Sequence, residues 1–229
     1  MRGSVVGGAW DQGAASSCVA FALARAINMA HVRAGDVHAP APSPMWLYYA
    51  ARAQLYAGAA SSDIVLSDSG SYPRLAMKAV QAVGFCSWDS WQYDAGRVSE
   101  RPPLKSYGRS YDQRGLKYWR INDAGQARVN AVSAALSLGM PVIFAAQIDE
   151  AFSYHDGMRP VRALDPSKLR GRHMMTAVAV EPGAVVLVNS WGPNWADMGY
   201  GKLAPSFFGD PAMVDDVYAV QAAPLWSKR

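Results

Sequence analysis

Cysteines and histidines are the residues of this chain best suited to covalent and acid–base chemistry. Cys18 opens a segment without glycine or proline, 18–33, which predicts a helix with Ser16 or Ser17 as its N-cap. The free N–H groups and positive dipole end of that helix would lie at the sulfur and favour the thiolate. Cys18 is therefore a candidate nucleophile, although free cysteines more often only pack in the core.

A carbonyl attacked by a thiolate needs hydrogen-bond donors for the negative charge on its oxygen. Gln12 lies six residues before Cys18 and is joined to it by the small-residue segment 13–17. That loop can fold the Gln12 carboxamide back toward the sulfur, beside the backbone N–H of Cys18. The spacing predicts an oxyanion hole made of one side-chain donor and one backbone donor.

Four histidines compete for the role of the base. His31 falls on the predicted helix of Cys18, more than three turns away, so its ring cannot reach the sulfur. His38 lies in a proline-rich loop, and His155 lies in what we expect to be an exposed turn. His173 differs because it opens an apolar segment typical of a strand. His173 is therefore the candidate base.

A hairpin is predicted to bring an amide to His173. Strands expected over 173–180 and 184–188 are joined by a short turn, and Asn189 follows the second strand. His173 and Asn189 would lie nearly opposite each other, so the amide oxygen would fix the imidazole tautomer. Trp191 would cover this hydrogen bond. The alternative interpretation is a capped hairpin end beside a core tryptophan.

The order of the predicted elements divides the chain into two halves. Helices are expected at 18–33, 45–57, 73–83 and 126–138, and strands at 141–148, 173–180, 184–188 and 217–220. Helices followed by strands predict an α+β fold. We expect a single domain, 1–229, with a helical lobe over about 12–110 and a β lobe over about 111–220.

Composition limits the classes of function. Apolar residues make up 51% of the 229 residues and charged residues 17%, which indicates a globular protein. Basic and aromatic residues interleave over 97–120, and we interpret this as a solvated crossing segment, so no nucleic acid is expected. The cysteines and histidines have no metal-ligand spacing and no phosphate loop is present, so no metal or other cofactor is expected.

No signal peptide or membrane span is expected from the sequence, because no apolar run is long enough. We expect a soluble protein, cytoplasmic or exported by a specialised route. Cys86 is predicted to be a buried free thiol. Only eleven residues precede Gln12, so control is expected from an inhibitor or regulatory protein, a removed leader, an export route or substrate restriction.

Three sequence blocks resemble signature segments of the papain family of cysteine peptidases. These blocks are residues 12–21, His173, and residues 189–195 with 199–201. Residues 68–84 and 91–94 resemble the bacterial branch of that family. The resemblance covers most of the chain. It implies a papain-like two-lobed α+β fold, with a helical left lobe, a β-barrel-like right lobe and an active-site cleft between them.

The resemblance also implies a chemistry: peptide-bond hydrolysis through a thioester acyl-enzyme. Cys18 would be the nucleophile, and His173 the general base and acid. Asn189 would orient the imidazole, and Gln12 would complete the oxyanion hole. A peptide or protein substrate would be bound by Gly70, Ser71, Tyr72, Pro73, Met174 and Trp191. Gly70 would offer backbone hydrogen bonds to an extended peptide.

The sequence departs from the family pattern in places. The family pattern has a cysteine three residues before the nucleophile, where this chain has Ala15. The position of its disulfide partner is Asp68 here, so that disulfide bridge is absent. Two alternatives stay open: the same acyl-enzyme giving its acyl group to an amine, as in ligation, transpeptidation or acyl transfer, and an inactive peptide-binding homologue. A basic loop precedes His173; its basic residues are Arg159, Arg162, Lys168, Arg170 and Arg172. One hypothesis is that this loop biases the cleft toward acidic substrates or partners, and the alternative is a solvated loop.

Overall fold

A computed structural model describes residues 8–56, 66–110 and 115–222. The helices are α1 (Cys18–Arg33), α2 (Pro44–Ala53), α3 (Pro73–Val83), α4 (Leu104–Ser110), α5 (Gly125–Ser137) and α6 (Pro205–Gly209). The strands are β1 (Lys117–Arg120), β2 (Val142–Asp149), β3 (Leu169–Glu181), β4 (Ala184–Val188), β5 (Tyr200–Leu203) and β6 (Val214–Gln221). The prediction of a mixed α+β fold is confirmed.

The helix α1 runs through the protein interior, and its side chains are buried from Val19 to His31. Alanine and leucine along this segment favour the helix and fill a core without polar groups. Ser17 occupies the predicted N-cap position, but its side chain does not cap the helix. Its hydroxyl lies 2.8 Å from Tyr93 Oη instead. Tertiary packing therefore replaces the local capping bond expected from the sequence.

The next two long helices begin and end on local signals. Ser43 caps α2 by accepting from Trp46 N at 3.2 Å, and Pro44 occupies its first turn. Proline also starts α3, and Gly84 follows its last residue with a φ of 70°. These two helices pack with α1 around an apolar core that includes Leu23, Leu47, Met77 and Val80.

The six strands form one antiparallel sheet in the order β1-β6-β2-β3-β4-β5. The two edge strands do not pair with each other, so the sheet is open and the expectation of a β-barrel-like lobe is corrected. Strands β1 and β5 were not predicted from sequence, because each has only four residues and no clear apolar alternation. The expected lobe boundary near residue 111 lies outside the described residues.

Alternate residues of the central strands face different helices. Ile143 and Met174 pack with α1, whereas Phe144 and Met175 pack against the cluster that includes Val132 of α5. The sheet thus lies between α1 and the pair α5 and α6. Within the described part of the chain, no helix combines the length and apolar composition needed to cross a bilayer.

Candidate active site

A cleft of about 740 Å³ lies between the helical residues and the sheet. One wall carries the start of α1 and the loop before α3, and the other carries residues of β2, β3 and β6 together with Trp191. Nine of the ten predicted site residues line this cleft: Gln12, Cys18, Gly70, Ser71, Tyr72, Pro73, His173, Met174 and Trp191. The tenth, Asn189, is buried behind His173.

The Cys18 thiol is partly buried at the first residue of α1. Burial raises its pKa above the ordinary value of 9.0, because desolvation disfavours the thiolate. Hydrogen bonds from the backbone of Met174, Val19 and Cys18 itself act in the opposite direction but are weaker. The helix end was expected to favour the thiolate of Cys18, but desolvation outweighs the hydrogen bonds from the backbone at this site.

The imidazole of His173 is buried, with 5% of its surface exposed. Burial lowers its pKa to about 4, and the hydrogen bond to Asn189 only partly offsets this. The raised pKa of Cys18 and the lowered pKa of His173 have the same cause, because burial disfavours the charged form of each group.

The Nε2 atom of His173 lies 2.6 Å from Oδ1 of Asn189. The same oxygen accepts from Ser190 N at 2.8 Å, which identifies it as the amide carbonyl. His173 must then donate from Nε2, so Nδ1 of the neutral ring is an acceptor. The last regular pair of β3 with β4 joins Thr176 to Val188. The side chains of His173 and Asn189 therefore meet diagonally, beyond the end of the paired region, and are not directly opposite each other.

Aromatic rings cover the bond between His173 and Asn189. The ring of Trp191 stacks on His173, with centroids 4.6 Å apart and an interplanar angle of 29°. Phe152 and Trp195 then pack against Trp191 at 5.9 and 5.6 Å. The predicted cover is therefore present, and it is made by a cluster of three aromatic side chains.

The Gln12 carboxamide has a single orientation. Its Nε2 donates to the carbonyl of Ala15 at 2.7 Å, and its Oε1 accepts from Ser190 Oγ at 2.6 Å. Its backbone N–H also donates to Ser190 O at 2.8 Å. Because Nε2 carries two hydrogens, one remains for a ligand in the cleft. The Gln12 side chain can therefore supply the donor predicted from its spacing.

Ser190 is the residue that sequence reasoning missed. Ser190 contacts both the residue that orients His173 and the oxyanion-hole candidate: its backbone N–H donates to Asn189 Oδ1, and its hydroxyl donates to Gln12 Oε1. A bridge between Asp11 and Trp191 brings the two segments together. Its position directly after Asn189 was the only sequence signal, because Gln12 and Ser190 are 178 residues apart in the chain.

A close backbone approach supports the loop that carries Asn189. The Asn189 N–H donates to the carbonyl of Gly199 at 2.9 Å. Gly199 has a φ of 88°, and a Cβ at this position would overlap the side chain of Ala9. Glycine is therefore required here by both the backbone conformation and the lack of space.

Asp68 ties the loop before α3 to the segment that leads into α1 and to α2. Its carboxylate accepts from Ser16 N at 3.0 Å and from Tyr48 Oη at 2.5 Å. Tyr48 Oη in turn accepts from Gly70 N at 3.0 Å. Asp68 stands at the position where the resemblance implied a missing disulfide, so hydrogen bonds link the same two segments.

The contacts of Gly70 modify its expected role. Its N–H already donates to Tyr48, which leaves its carbonyl as the group that can meet a peptide. Both cysteines are free thiols, and Cys86 is fully buried, as predicted. Burial raises the pKa of Cys86 to about 11. Cys86 is therefore much less suited than Cys18 to react with a ligand.

Of the basic loop expected to attract acidic substrates, only Arg172 lines the cleft. Its guanidinium forms an ion pair with Asp215. Arg170 lies 3.3 Å from Glu150. His155 was expected in an exposed turn, but its ring is half-buried. The ring stacks on Phe152 and accepts a hydrogen bond from Lys202 N at 3.4 Å.

The chain is similar to known proteins in sequence and in fold. No protein-family model matches the chain. An uncharacterised peptidase C1-like protein of Acanthamoeba polyphaga mimivirus is 26% identical over 220 residues, covering 92% of this chain and 68% of the viral protein.

Two solved structures have the same fold. Xylellain, a cysteine protease from Xylella fastidiosa, superposes with a TM-score of 0.79 at 23% identity, covering 95% of this chain and 84% of xylellain. Bromelain from Ananas comosus, solved with the inhibitor E64, gives a TM-score of 0.68 at 16% identity, covering 97% and 96%. The bacterial branch remains a prediction. The chain is therefore similar in sequence to a peptidase C1-like protein, and it has the fold of the papain-like cysteine proteases.

Proposed function

We propose that this chain hydrolyses peptide bonds through a thioester formed on Cys18. One observation carries the proposal: Cys18 and His173 line opposite walls of one cleft, and the 2.6 Å bond to Asn189 orients the imidazole. An oriented base beside a thiol at a helix start is the arrangement that nucleophilic acyl transfer requires. The loop that carries Gly70 lines the same cleft, so a bound peptide would lie beside it.

In the first step Sγ of Cys18 attacks the peptide carbonyl while Nδ1 of His173 takes the thiol proton. The carbonyl oxygen becomes negatively charged and accepts from the remaining Nε2–H of Gln12 and from the N–H of Cys18. His173 then gives its proton to the amide nitrogen, and the C–N bond breaks. The amine leaves and the acyl group stays on sulfur as a thioester.

In the second step a water molecule attacks the thioester, and His173 removes a proton from it. The tetrahedral adduct collapses, the C–S bond breaks, and the proton returns from the imidazole to sulfur. Asn189 accepts from Nε2–H throughout, so the imidazolium formed in each step keeps a hydrogen-bond partner. Because burial disfavours both charged forms, we expect the imidazolium to form together with the attack, when the oxyanion on the substrate balances its charge.

The proposal is tested with a peptidyl epoxide, a probe that alkylates thiols, followed by intact-mass measurement. We expect one adduct on the native chain, one on Cys86→Ala and none on Cys18→Ala. The Cys86→Ala chain is the matched control, since it removes the other thiol. An adduct on Cys86, or no adduct under reducing conditions, would contradict the assignment of Cys18.

The same chain incubated with a peptide and an added amine separates the alternatives. Free carboxylic acid as the main product by mass spectrometry supports hydrolysis, whereas an amide product supports acyl transfer to the amine. If the native chain binds the peptide but does not convert it, and Cys18 is not labelled, the inactive homologue is supported. Each outcome identifies one of the three functions.

A further inference from the structure

The hydroxyl of Tyr93 contacts both ends of the segment that carries the proposed oxyanion donors. It donates to the backbone carbonyl of Gln12 at 2.7 Å and lies 2.8 Å from Oγ of Ser17. Gln12 supplies one oxyanion donor, and the N–H of Cys18, the residue after Ser17, supplies the other. Tyr93 is not among the described residues that line the cleft. Any effect of Tyr93 on the reaction therefore passes through residues 12–18.

The hydrogen positions at Tyr93 follow from its two partners. A carbonyl oxygen only accepts, so the single hydroxyl proton of Tyr93 points to Gln12 O. The Ser17 hydroxyl must then donate to Tyr93 Oη. Burial raises the pKa of Tyr93 above its ordinary value of 10.0, so the hydroxyl keeps this proton at neutral pH. The hydrogen bonds thus run in one direction, from Ser17 through Tyr93 to Gln12.

The ring of Tyr93 is held in place by α1. It packs edge-on against Phe21, with centroids 4.6 Å apart and an interplanar angle of 82°. Phe21 is buried and lies about one helical turn after Cys18. The backbone nearby is fixed too, since the carbonyl of Trp91 accepts from Ser43 Oγ at 2.7 Å. The Tyr93 hydroxyl therefore has a defined position relative to the start of α1.

Gln12 is held between Tyr93 and the loop that follows β4. Its backbone N–H donates to Ser190 O at 2.8 Å, while its carbonyl accepts from Tyr93. The next residue is also close to the segment of Tyr93, because a Cβ at Gly13 would lie 3.4 Å from the Cβ of Ala95. Loss of the Tyr93 hydroxyl would release one side of Gln12 and leave the other side bound.

We propose that Tyr93 is a positioning residue that sets the spacing of the two oxyanion donors, the Nε2–H of Gln12 and the N–H of Cys18. The proposal rests on the function proposed above, and it adds the residue that holds the oxyanion hole in shape. Negative charge on the carbonyl oxygen develops during the attack, so well-placed donors stabilise the transition state more than the bound peptide. The Tyr93 hydroxyl should therefore affect kcat more than KM.

The test is Tyr93→Phe, which keeps the ring against Phe21 and removes the hydroxyl. With a quenched peptide, we expect kcat to fall about tenfold and KM to change by less than about twofold.

A peptide aldehyde tests the oxyanion hole separately. The Cys18 thiol adds to the aldehyde carbon, the C=O bond becomes single, and the thiol proton goes to the oxygen. The oxygen of this hemithioacetal lies where the oxyanion would form, so the aldehyde inhibition constant should rise about tenfold in Tyr93→Phe. A purely structural role would not couple this constant to kcat at unchanged KM.

Tyr118→Phe is the matched control. Tyr118 is also partly buried and packs against the same apolar core as Tyr93, but it is not among the described residues that line the cleft. Its kcat and aldehyde inhibition should match the native chain. Ser17→Ala removes only the first of the two hydrogen bonds and should have a smaller effect than Tyr93→Phe. Native kcat in Tyr93→Phe, or an equal loss in Tyr118→Phe, overturns the proposal.

A double-mutant cycle tests whether Tyr93 acts through Gln12. In a Gln12→Ala chain one oxyanion donor is already gone, so adding Tyr93→Phe should lower kcat by much less than tenfold. A full additional tenfold loss would show that Tyr93 acts by another route and would overturn the proposal.

Nuclear magnetic resonance separates failure of this proposal from failure of the proposed function. The side-chain amide signals of Gln12 are identified by their absence in Gln12→Ala. In Tyr93→Phe we expect them to move toward the values of an unfolded chain and to exchange faster with water. This change supports the positioning role even if no peptide is cleaved. Unchanged Gln12 signals overturn it, even if the native chain cleaves peptides.

Discussion

Oδ1 of Asn189 lies 2.6 Å from Nε2 of His173, at the point where the regular pairing of β3 with β4 has ended. Beyond the ladder, no backbone hydrogen bonds between the two strands hold these side chains in place. The backbone of His173 is held by its pairing with Ala146 of β2. The meeting of the two side chains depends on the hydrogen bond between them, on the stacked ring of Trp191 and on the Asn189 N–H bond to Gly199. The orientation of the imidazole is therefore set by a few identifiable contacts.

Asn189→Ala should lower kcat about 100-fold, because the imidazole loses its orienting acceptor. Asn189→Asp keeps an acceptor at the same place and should lose less. Its added negative charge should also move the acid limb of the pH–rate profile to higher pH. Steady-state kinetics with a quenched peptide measures both effects. An Asn189→Ala chain with native kcat and pH profile would contradict the orienting role.

Gln12→Ala should lower kcat about 100-fold through loss of an oxyanion donor. Ser190→Ala should lower it about tenfold, because the Gln12 amide loses the bond that orients it. The double variant should be no slower than Gln12→Ala, since Ser190 is expected to act through Gln12. Additive losses in this double-mutant cycle would show that Ser190 acts by another route.

The acid limb of kcat/KM should have its midpoint near pH 4. His173 must be neutral to take the thiol proton, and burial lowers its pKa to about 4. An enzyme whose imidazole had the ordinary pKa of 6.5 would lose activity about 2.5 pH units higher. A profile measured between pH 3 and 8 on peptide substrates tests this, and a midpoint near 6.5 would contradict it.

Burial of neutral His173 also predicts how stability changes with pH. Its pKa is lower in the folded chain than in the unfolded chain, so the unfolded chain binds more protons between about pH 4 and 6.5. The free energy of unfolding should therefore fall as the pH drops through this window, by about 3 kcal/mol from this group. Urea denaturation at several pH values measures it. His173→Gln should lose this part of the slope.

Asp68→Ala should lower the free energy of unfolding by about 2 kcal/mol, because it leaves Ser16 N and Tyr48 Oη without their acceptor. KM should rise as well, since the loop with Gly70 loses its tie to α1. Tyr48→Phe is the matched control, because it removes the Tyr48 bonds and keeps the bond from Asp68 to Ser16. If Asp68→Ala has the same free energy of unfolding by chemical denaturation and the same KM as the native chain, this linking role is excluded.

Several features of the site were predictable because their signals are local. The helix Cys18–Arg33 has its predicted bounds, since the run of helix-favouring residues ends before Gly35. The six-residue spacing of Gln12 and Cys18 and the short hairpin before Asn189 restrict which side chains can meet. The order of the helical and strand patterns, read together with the resemblance, predicted the α+β papain-like fold correctly.

The tertiary structure decided the rest, because the deciding contacts join distant parts of the chain. The bond from Ser190 to Gln12, the tie from Asp68 to Ser16 and the bond from Tyr93 to Gln12 each depend on segments brought together only by folding. The pKa of Cys18 is the clearest case. The sequence indicated a helix start that favours the thiolate, whereas the depth of burial, which no local pattern encodes, reverses the direction.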